Sequence, residues 1–398
     1  VPGLEGAGVE KLTVAELGPI KDFTMETNRL TVLIGPQASG KSLLAQLLYF
    51  FNGLEMLLSE RYDQSWGSSG RIWKEDVLRK ILYGFRNSDY LNFCIPGTFI
   101  GYYSDDLTEK DFSLFFDERG PEINKKMSLK IDEWVGEWSN KYKLIQSQGD
   151  NQVYIPTERS MYTRVSGGDF SVFSAGQTTL FIKFAQQVEE CKHSLSYQYD
   201  LNEKIRNLPD SRSVLARLQH AALRGVVDVQ GVIDKKWVWK FDVNSRDSIP
   251  MASVSSGQME TWPFFALATV FGLDQNHRLF YFEEPETHLH PNAQVEVVRT
   301  IAYLISRGHR FVITTHSPFI LYVINNLIQA HIAYDGAPPE GEFSINPDHV
   351  AAYCLGDNPQ SIVDKETKLL KLDEIDNVLD SIGKQFYDLL NRDVKKNA

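Results

Sequence analysis

Cysteine is scarce in this chain of 398 residues: there are three, Cys94, Cys191 and Cys354, widely spaced and with no CxxC pair. That spacing argues against a disulfide framework or a thiolate zinc site and fits a reducing compartment. A basic excess is also missing, since 41 Lys and Arg stand against 52 Asp and Glu, for a formal net charge of −11. A surface built mainly to coat nucleic acid is therefore not expected, although a local groove lined by Arg212, Arg217 and Arg224 leaves a DNA contact open. Long apolar runs are absent too. The most apolar stretch, FVITTHSPFILYVINNLI (311–328), is interrupted by Thr, His, Ser, Pro and two Asn and is too polar to span a bilayer. VPGLEGAGVE, the first ten residues, has no basic region followed by an apolar run, so no secretion signal and a cytoplasmic setting are expected. No internal repeat or low-complexity segment is visible. With 42% hydrophobic and 23% charged residues, the chain is an ordinary globular one, long enough for a sizeable core and more than one lobe.

Residues 9–27 predict two short strands around a Gly-Pro turn, and LTVLIG (30–35) is a continuous β-branched run suited to a strand buried on both faces. SLLAQLLYFFNGLEMLLSERY follows with helical composition. From about 97 to 155, strand-like pieces (GTFIGYYS, KMSLKI, QVYIP) alternate with polar turns. Helical sequence then occupies roughly 175–225, broken at Pro209 and too short for a long coiled-coil arm. In KKWVWKFDV, Trp237, Trp239, Phe241 and Val243 share one face, which predicts a half-buried strand. RLFYF (278–282) and RFVITT (310–315) predict two further buried strands. LDEIDNVLDSIGKQFYDLL places Leu372, Ile375, Leu379, Ile382, Phe386 and Leu389 at helical spacing, an amphipathic helix that must dock on its own core or on a partner.

GPQASGKS (35–42) fits G-x-x-x-x-G-K-[ST], between a strand and a helix as that pattern requires. Glycines at 35 and 40 let the backbone of Gly35, Pro36, Gln37, Ala38, Ser39 and Gly40 wrap a phosphate chain, with amides and the helix N-terminus as donors. Lys41 would reach the β- and γ-phosphates of a nucleoside triphosphate and Ser42 would hold Mg²⁺.

A P-loop alone serves kinases, GTPases, helicases and transporters, and three further stretches narrow the field. VSSGQMETWPFFAL carries Ser255, Ser256, Gly257 and Gln258 into a helix, an anion site by one reading and a simple helix cap by another. RLFYFEE is a buried strand ending in Glu283 and Glu284, where a carboxylate can orient water and accept its proton. FVITTHSP places His316 after the next strand. His288 and His290 in PETHLHP are two apart in a proline-flanked turn with no second histidine cluster, so a metal site there is the weaker reading. FSAGQTTLF (173–181) imitates the Ser-Gly-Gln stretch but lies over a hundred residues before the paired acids, against about twenty-five for 254–258.

In this order and spacing the motifs resemble the ATP-binding-cassette (ABC) ATPases of the RecF, SMC and OLD branch. "EEPE-x-H-LHP … TTHSP" and the Gly-Pro-Ile turn before the P-loop are most similar to stand-alone OLD-type ATPases of bacterial defence. The resemblance covers roughly 9–55 and 250–320. It implies an α/β fold, a P-loop NTPase of ABC-ATPase head type with a mixed sheet lobe and a helical insertion. Expected divisions are 1–174 and 226–330 for the two parts of the head, 175–225 for the insertion and 331–398 for a C-terminal extension with the docking helix. The resemblance further implies that residues 255–258 face the γ-phosphate held by a second copy. Glu283 would stand where the family's Mg²⁺-orienting Asp does, Glu284 would be the base, PETHLHP the segment crossing a dimer interface, and His316 a γ-phosphate contact. The family's Q-loop glutamine has no clear match, though Arg159 in VYIPTERS is a candidate for contacts near the nucleotide or for a surface ion pair. OLD nucleases carry a TOPRIM domain after the core, and the 82 residues following His316 lack its acidic pattern, so no intrinsic nuclease is expected. The implied protein is an ATP- and Mg²⁺-dependent homodimeric ATPase signalling to a nuclease or toxin. A RecF/SMC-like DNA ATPase and a nucleotide-sensing scaffold that sequesters its effector are the alternatives.

Overall fold

The computed structural model describes residues 10–53, 92–104, 110–117, 120–123, 151–165, 179–202, 210–231, 235–242, 247–273, 276–372 and 380–390. The chain opens with β1 (Glu10–Leu17), β2 (Ile20–Glu26), β3 (Leu30–Ile34) and α1 (Lys41–Asn52). It continues through β4 (Cys94–Ser104), β5 (Lys110–Asp117), β6 (Gly120–Ile123) and β7 (Gln152–Ile155). Helices α2 (Ser160–Val165), α3 (Thr179–Asn202) and α4 (Asp210–Leu223) precede β8 (Val226–Gln230), β9 (Lys236–Lys240) and β10 (Ile249–Pro250). Next come α5 (Ser256–Val270), β11 (Leu279–Glu283), α6 (Pro291–Ser306), β12 (Arg310–Thr315) and α7 (Pro318–Ala333). The described part ends with β13 (Val350–Cys354), β14 (Gln360–Ser361) and a helix, α8, over 380–390. KMSLKI and most of FSAGQTTLF lie outside the described residues.

The central sheet has the order β14-β13-β3-β12-β11-β7, parallel except for the edge strand β14. Side chains in its inner strands alternate between two cores. Leu30, Val32, Phe280, Phe282, Phe311 and Ile313 pack with α3 to α7, while Leu33, Tyr281 and Val312 pack with α1 and the antiparallel sheet β2-β1-β4-β5-β6. That two-sided burial explains the unbroken apolar runs: each such side chain removed from water contributes about 1.5–3 kcal/mol. A buried ion pair joins the sheets, with Arg310 Nη1 2.7 Å from Glu10 Oε1, Thr27 bonding to both side chains and Asn52 to Glu10.

Two sequence expectations differ from the structure, and a third is narrowed by it. KKWVWKFDV is not half-buried by simple alternation: Trp237, Val238 and Trp239 are all buried, and Phe241, just past the strand end, is 57% exposed. Trp237 packs at 4.8 Å between ring centroids on Trp262 of α5, which ties this small sheet to the larger core. Secondly, the central sheet does not stop before 331. β13 pairs in register with β3, Val350 opposite Leu30 and Cys354 opposite Ile34, so the head's own sheet extends past the expected division at 330. Of the two readings open for Arg159, contacts near the nucleotide and a surface ion pair, its complete burial excludes the second.

Candidate nucleotide site

Parallel strands direct their C-terminal ends to one edge of the sheet, the place where open α/β sheets bind ligands. At that edge β3 runs into the loop 35–40. Gly35 has φ +150° and Gly40 φ +93°, and a Cβ on Gly35 would stand 2.2 Å from the carbonyl oxygen of Leu355. A Cβ on Gly40 would stand 2.7 Å from Ile20, so the Gly-Pro-Ile turn buttresses the loop from the other side. Both positions admit only glycine. Pro36, Gln37 and Ala38 are exposed, and Ala38 takes φ +59°. Lys41 Nζ donates to the carbonyls of Gly35 (2.9 Å) and Pro36 (2.7 Å). Burial lowers its pKa, while Glu284 and Glu286 oppose that shift by their charge.

The neighbouring strand ends supply the acids. Glu283 closes β11 and is buried, its Oε1 accepting from the Tyr154 hydroxyl (2.6 Å) and Oε2 from Thr157 N (3.2 Å) and Oγ1 (3.3 Å). The Ser42 hydroxyl also acts on it, favouring its charged form. Burial raises the Glu283 pKa above the ordinary carboxylate value, and those donors oppose the rise. Glu284 follows with a half-exposed side chain and a left-handed backbone, φ +43°. Its amide donates to Thr314 O (2.9 Å), its carbonyl accepts from Thr287 Oγ1 (2.8 Å), and its Oε1 lies 3.4 Å from His316 Nε2. Lys41, Ser42, Glu283, Glu284 and His316 are thus brought together at the ends of β3, β11 and β12.

Among the described residues, 255–258 make no hydrogen bond to the P-loop of their own chain. Ser255 caps α5, with Gln258 N donating to its Oγ and its own amide donating to Gln258 Oε1 (2.9 Å), the reciprocal capping box. Gln258 Nε2 is engaged by Leu223 O (2.7 Å) at the end of α4. Gly257 is buried because His288 O would stand 2.5 Å from any Cβ there. Ser255 and Ser256 remain on the surface. His288 Nδ1 lies 2.9 Å from Glu260 Oε1, and His290 caps α6 by accepting from Asn292 N. Among the described residues no His/Cys/Asp/Glu group is arranged to hold a metal by protein ligands alone.

Arg159, for which the sequence leaves two readings, and Glu286, to which it gives no role of its own, complete the site. Arg159 lies beneath the acids, donating only to backbone carbonyls: Glu260 (2.9 Å), Pro156 (3.0 Å), Glu283 (2.8 Å) and Glu284 (2.7 Å). Glu286 Oε1 accepts from Thr315 Oγ1 (2.8 Å) and from the amides of His316 (2.6 Å) and Ser317 (3.1 Å). Proximity to the paired acids was the one available sequence signal for Glu286.

Fold and site together define an α/β P-loop ATPase domain of ABC-head type. The chain belongs to the AAA ATPase domain family, whose profile matches residues 87–321, more than half its length. No curated protein matches the sequence. Among solved structures, an SMC head bound to the C-winged-helix domain of ScpA is similar at 13% identity, over 89% of this chain and 97% of that one, with TM-score 0.47. An Smc head with an extended coiled coil bound to the C-terminal domain of ScpA, derived from Pyrococcus furiosus, is similar at 12% identity over 94% and 99%, with TM-score 0.43. The SMC head domain from Thermotoga maritima is similar at 11% identity over 79% and 91%, with TM-score 0.37. No described helix is long and apolar enough to cross a membrane.

Proposed function

We propose that this protein hydrolyses ATP with Mg²⁺ between two copies, and that closure around the nucleotide is passed to a protein effector. The observation that carries the reading is the convergence of Lys41, Ser42, Glu283, Glu284 and His316 on one sheet edge, with Glu284 and His316 3.4 Å apart. A glycine-only loop walled by Leu355 and Ile20 suits a phosphate chain, and a buried carboxylate on which the Ser42 hydroxyl acts suits a hard cation. Mg²⁺ held by Ser42 and Glu283 would neutralise charge on the phosphates. Lys41 exchanges its loop carbonyls for phosphate oxygens. Glu284 orients the water and takes its proton as the water oxygen bonds to the γ-phosphorus and the bridging P–O bond to ADP breaks. His316, beside Glu284, holds that carboxylate and donates toward the γ-phosphate.

The second copy enters because Ser255 and Ser256 form an exposed helix tip with no hydrogen bond to their own P-loop, a tip that can approach another. Closure follows if the two-copy state binds ATP better than the separated chains do. Effector docking is supported by α8, where Ile382, Phe386, Tyr387, Leu389 and Leu390 are all exposed. A nuclease or toxin as effector, in a bacterial defence setting, rests on the motif resemblance. In the alternative reading as a DNA ATPase, exposed Arg217 and Arg224 would contact phosphates, and ATP-strengthened, salt-sensitive DNA binding would favour it.

The test is Glu284→Gln. ATP-Mg²⁺ should convert it to a stable dimer in size-exclusion chromatography with light scattering, while its turnover falls by about 10²–10⁴. Normal turnover would remove Glu284 from the base role, and a chain that stays monomeric with ATP would remove the shared site.

A further inference from the structure

Four hydrogen bonds from one buried guanidinium reach three separate segments of the chain. Arg159 Nε takes the carbonyl of Glu260 in the second turn of α5, Nη1 takes Pro156 and Glu283, and Nη2 takes Glu284. Its plane also lies over the Phe282 ring, 5.2 Å from the centroid. No acceptor is a carboxylate, so the cation is bonded to neutral carbonyls, with Glu260, Glu283, Glu286 and Glu284 acting on it only through their fields. Burying such a charge is costly, and a junction needing only cohesion is served as well by apolar side chains. What a guanidinium adds is direction: five donors in a rigid plane fix several acceptors relative to one another, which a lysine ammonium cannot do.

The acceptors it fixes are the two ends of a path. One is α5, whose tip, Ser255 and Ser256, is on the surface. The other is the peptide of Glu284, held at φ +43°, a region a glutamate adopts only when its surroundings over-determine it. Thr314 O receives its amide, and Thr287 Oγ1 and Arg159 Nη2 both donate to its carbonyl. A second contact runs alongside at the surface, where His288 meets the side chain of Glu260 and the His288 carbonyl packs on Gly257.

We propose that Arg159 is a positioning residue that joins the α5 tip to the Glu284 backbone, so that engagement of the tip by the nucleotide of a facing copy sets the catalytic carboxylate, with the Glu260–His288 pair as the parallel surface link. This rests on the two-copy reading above. All four hydrogen bonds of Arg159 go to backbone carbonyls. It transmits the position of one segment to another.

The test separates binding from turnover in Arg159→Lys, which keeps the charge and most of the volume. ATP affinity, measured by titration, should stay within about threefold of the parent, because none of the bonds lost is to 35–42. ATP-driven dimerisation should persist, while kcat falls about ten- to a hundredfold, the size of effect expected from a small misplacement of a catalytic group. An unchanged kcat would overturn the proposal, as would a parallel fall in ATP affinity and kcat, which marks a merely structural role. If Arg159→Lys does not fold, His288→Ala decides, since that ring is 59% exposed and its removal spares the core. There kcat should fall about three- to tenfold at unchanged affinity, and full activity would sink the link. A parent protein that binds no ATP would defeat the functional reading itself. A parent that turns over normally beside an equally active Arg159→Lys would defeat only this inference.

Discussion

Glu286 Oε1 accepts a 2.6 Å hydrogen bond from the backbone amide of His316. The turn after β11 thereby holds the loop after β12, and the residue beside the paired acids fixes where the histidine stands. Glu286→Ala leaves that amide, the Ser317 amide and the Thr315 hydroxyl without their shared acceptor. Bonds to a charged acceptor contribute about 1.5–3 kcal/mol. The variant should therefore lose stability in urea unfolding by a few kcal/mol and lose kcat by more than tenfold. Glu286→Gln, which retains an acceptor oxygen, should recover most of the stability.

Gly257 offers a test of how α5 rests on the turn that follows Glu284. A methyl there would meet a backbone carbonyl, that of His288, at 2.5 Å, and backbone cannot swing aside as a side chain can. Gly257→Ala should cost about 1–3 kcal/mol in thermal unfolding. It should also depress turnover more than ATP affinity, because the displaced turn carries Glu284.

The pH profile of turnover should carry the mark of Glu283. Burial holds its pKa above the reference of 4.5, so the carboxylate becomes protonated, and loses its hold on a cation, at a higher pH than an exposed glutamate would. Its bond from Tyr154 works the other way and favours the charged form. Tyr154→Phe should therefore move the acid limb of kcat/KM upward. A limb that stays in place or moves down would contradict the assignment.

Glu10 gives the opposite sign. Burial alone would raise its pKa, but the charge and hydrogen bond of Arg310, with Asn52 and Thr27, leave it below 4.5. A depressed folded-state value means stabilisation that is fully present above the unfolded value and lost as pH falls through the folded one. Unfolding free energy should thus be insensitive to this pair above about pH 5 and decline below it. Arg310→Met, which strands a buried carboxylate, should cost about 3–5 kcal/mol at neutral pH.

The sequence made the strands and their ends legible where several local signals agreed. LTVLI before a glycine loop, LFYF before two acids and FVITT before a histidine each combine a two-sided apolar run with punctuation, and all three stand side by side in the sheet. Ser255 as a helix cap was readable from the Ser-x-x-Gln spacing alone. The buried role of Arg159 was not, because a charged residue after Ile-Pro resembles a surface turn, and three of its four acceptors lie more than a hundred residues away. β13 escaped for a different reason. VAAYC is short and two of its residues are alanines, so its identity as a strand comes from the open edge of β3 rather than from its own composition.

That late strand alters what trimming this chain would mean. The amide of Leu355 donates to Ile34 O at 2.7 Å, and its carbonyl closes over Gly35. Removing everything past residue 330 would strip the wall from the phosphate loop and leave β3 with a bare edge, rather than release a smaller motor from an accessory tail. A pull on the end of the chain would be carried, through covalent backbone, to a strand that borders the phosphate-binding loop.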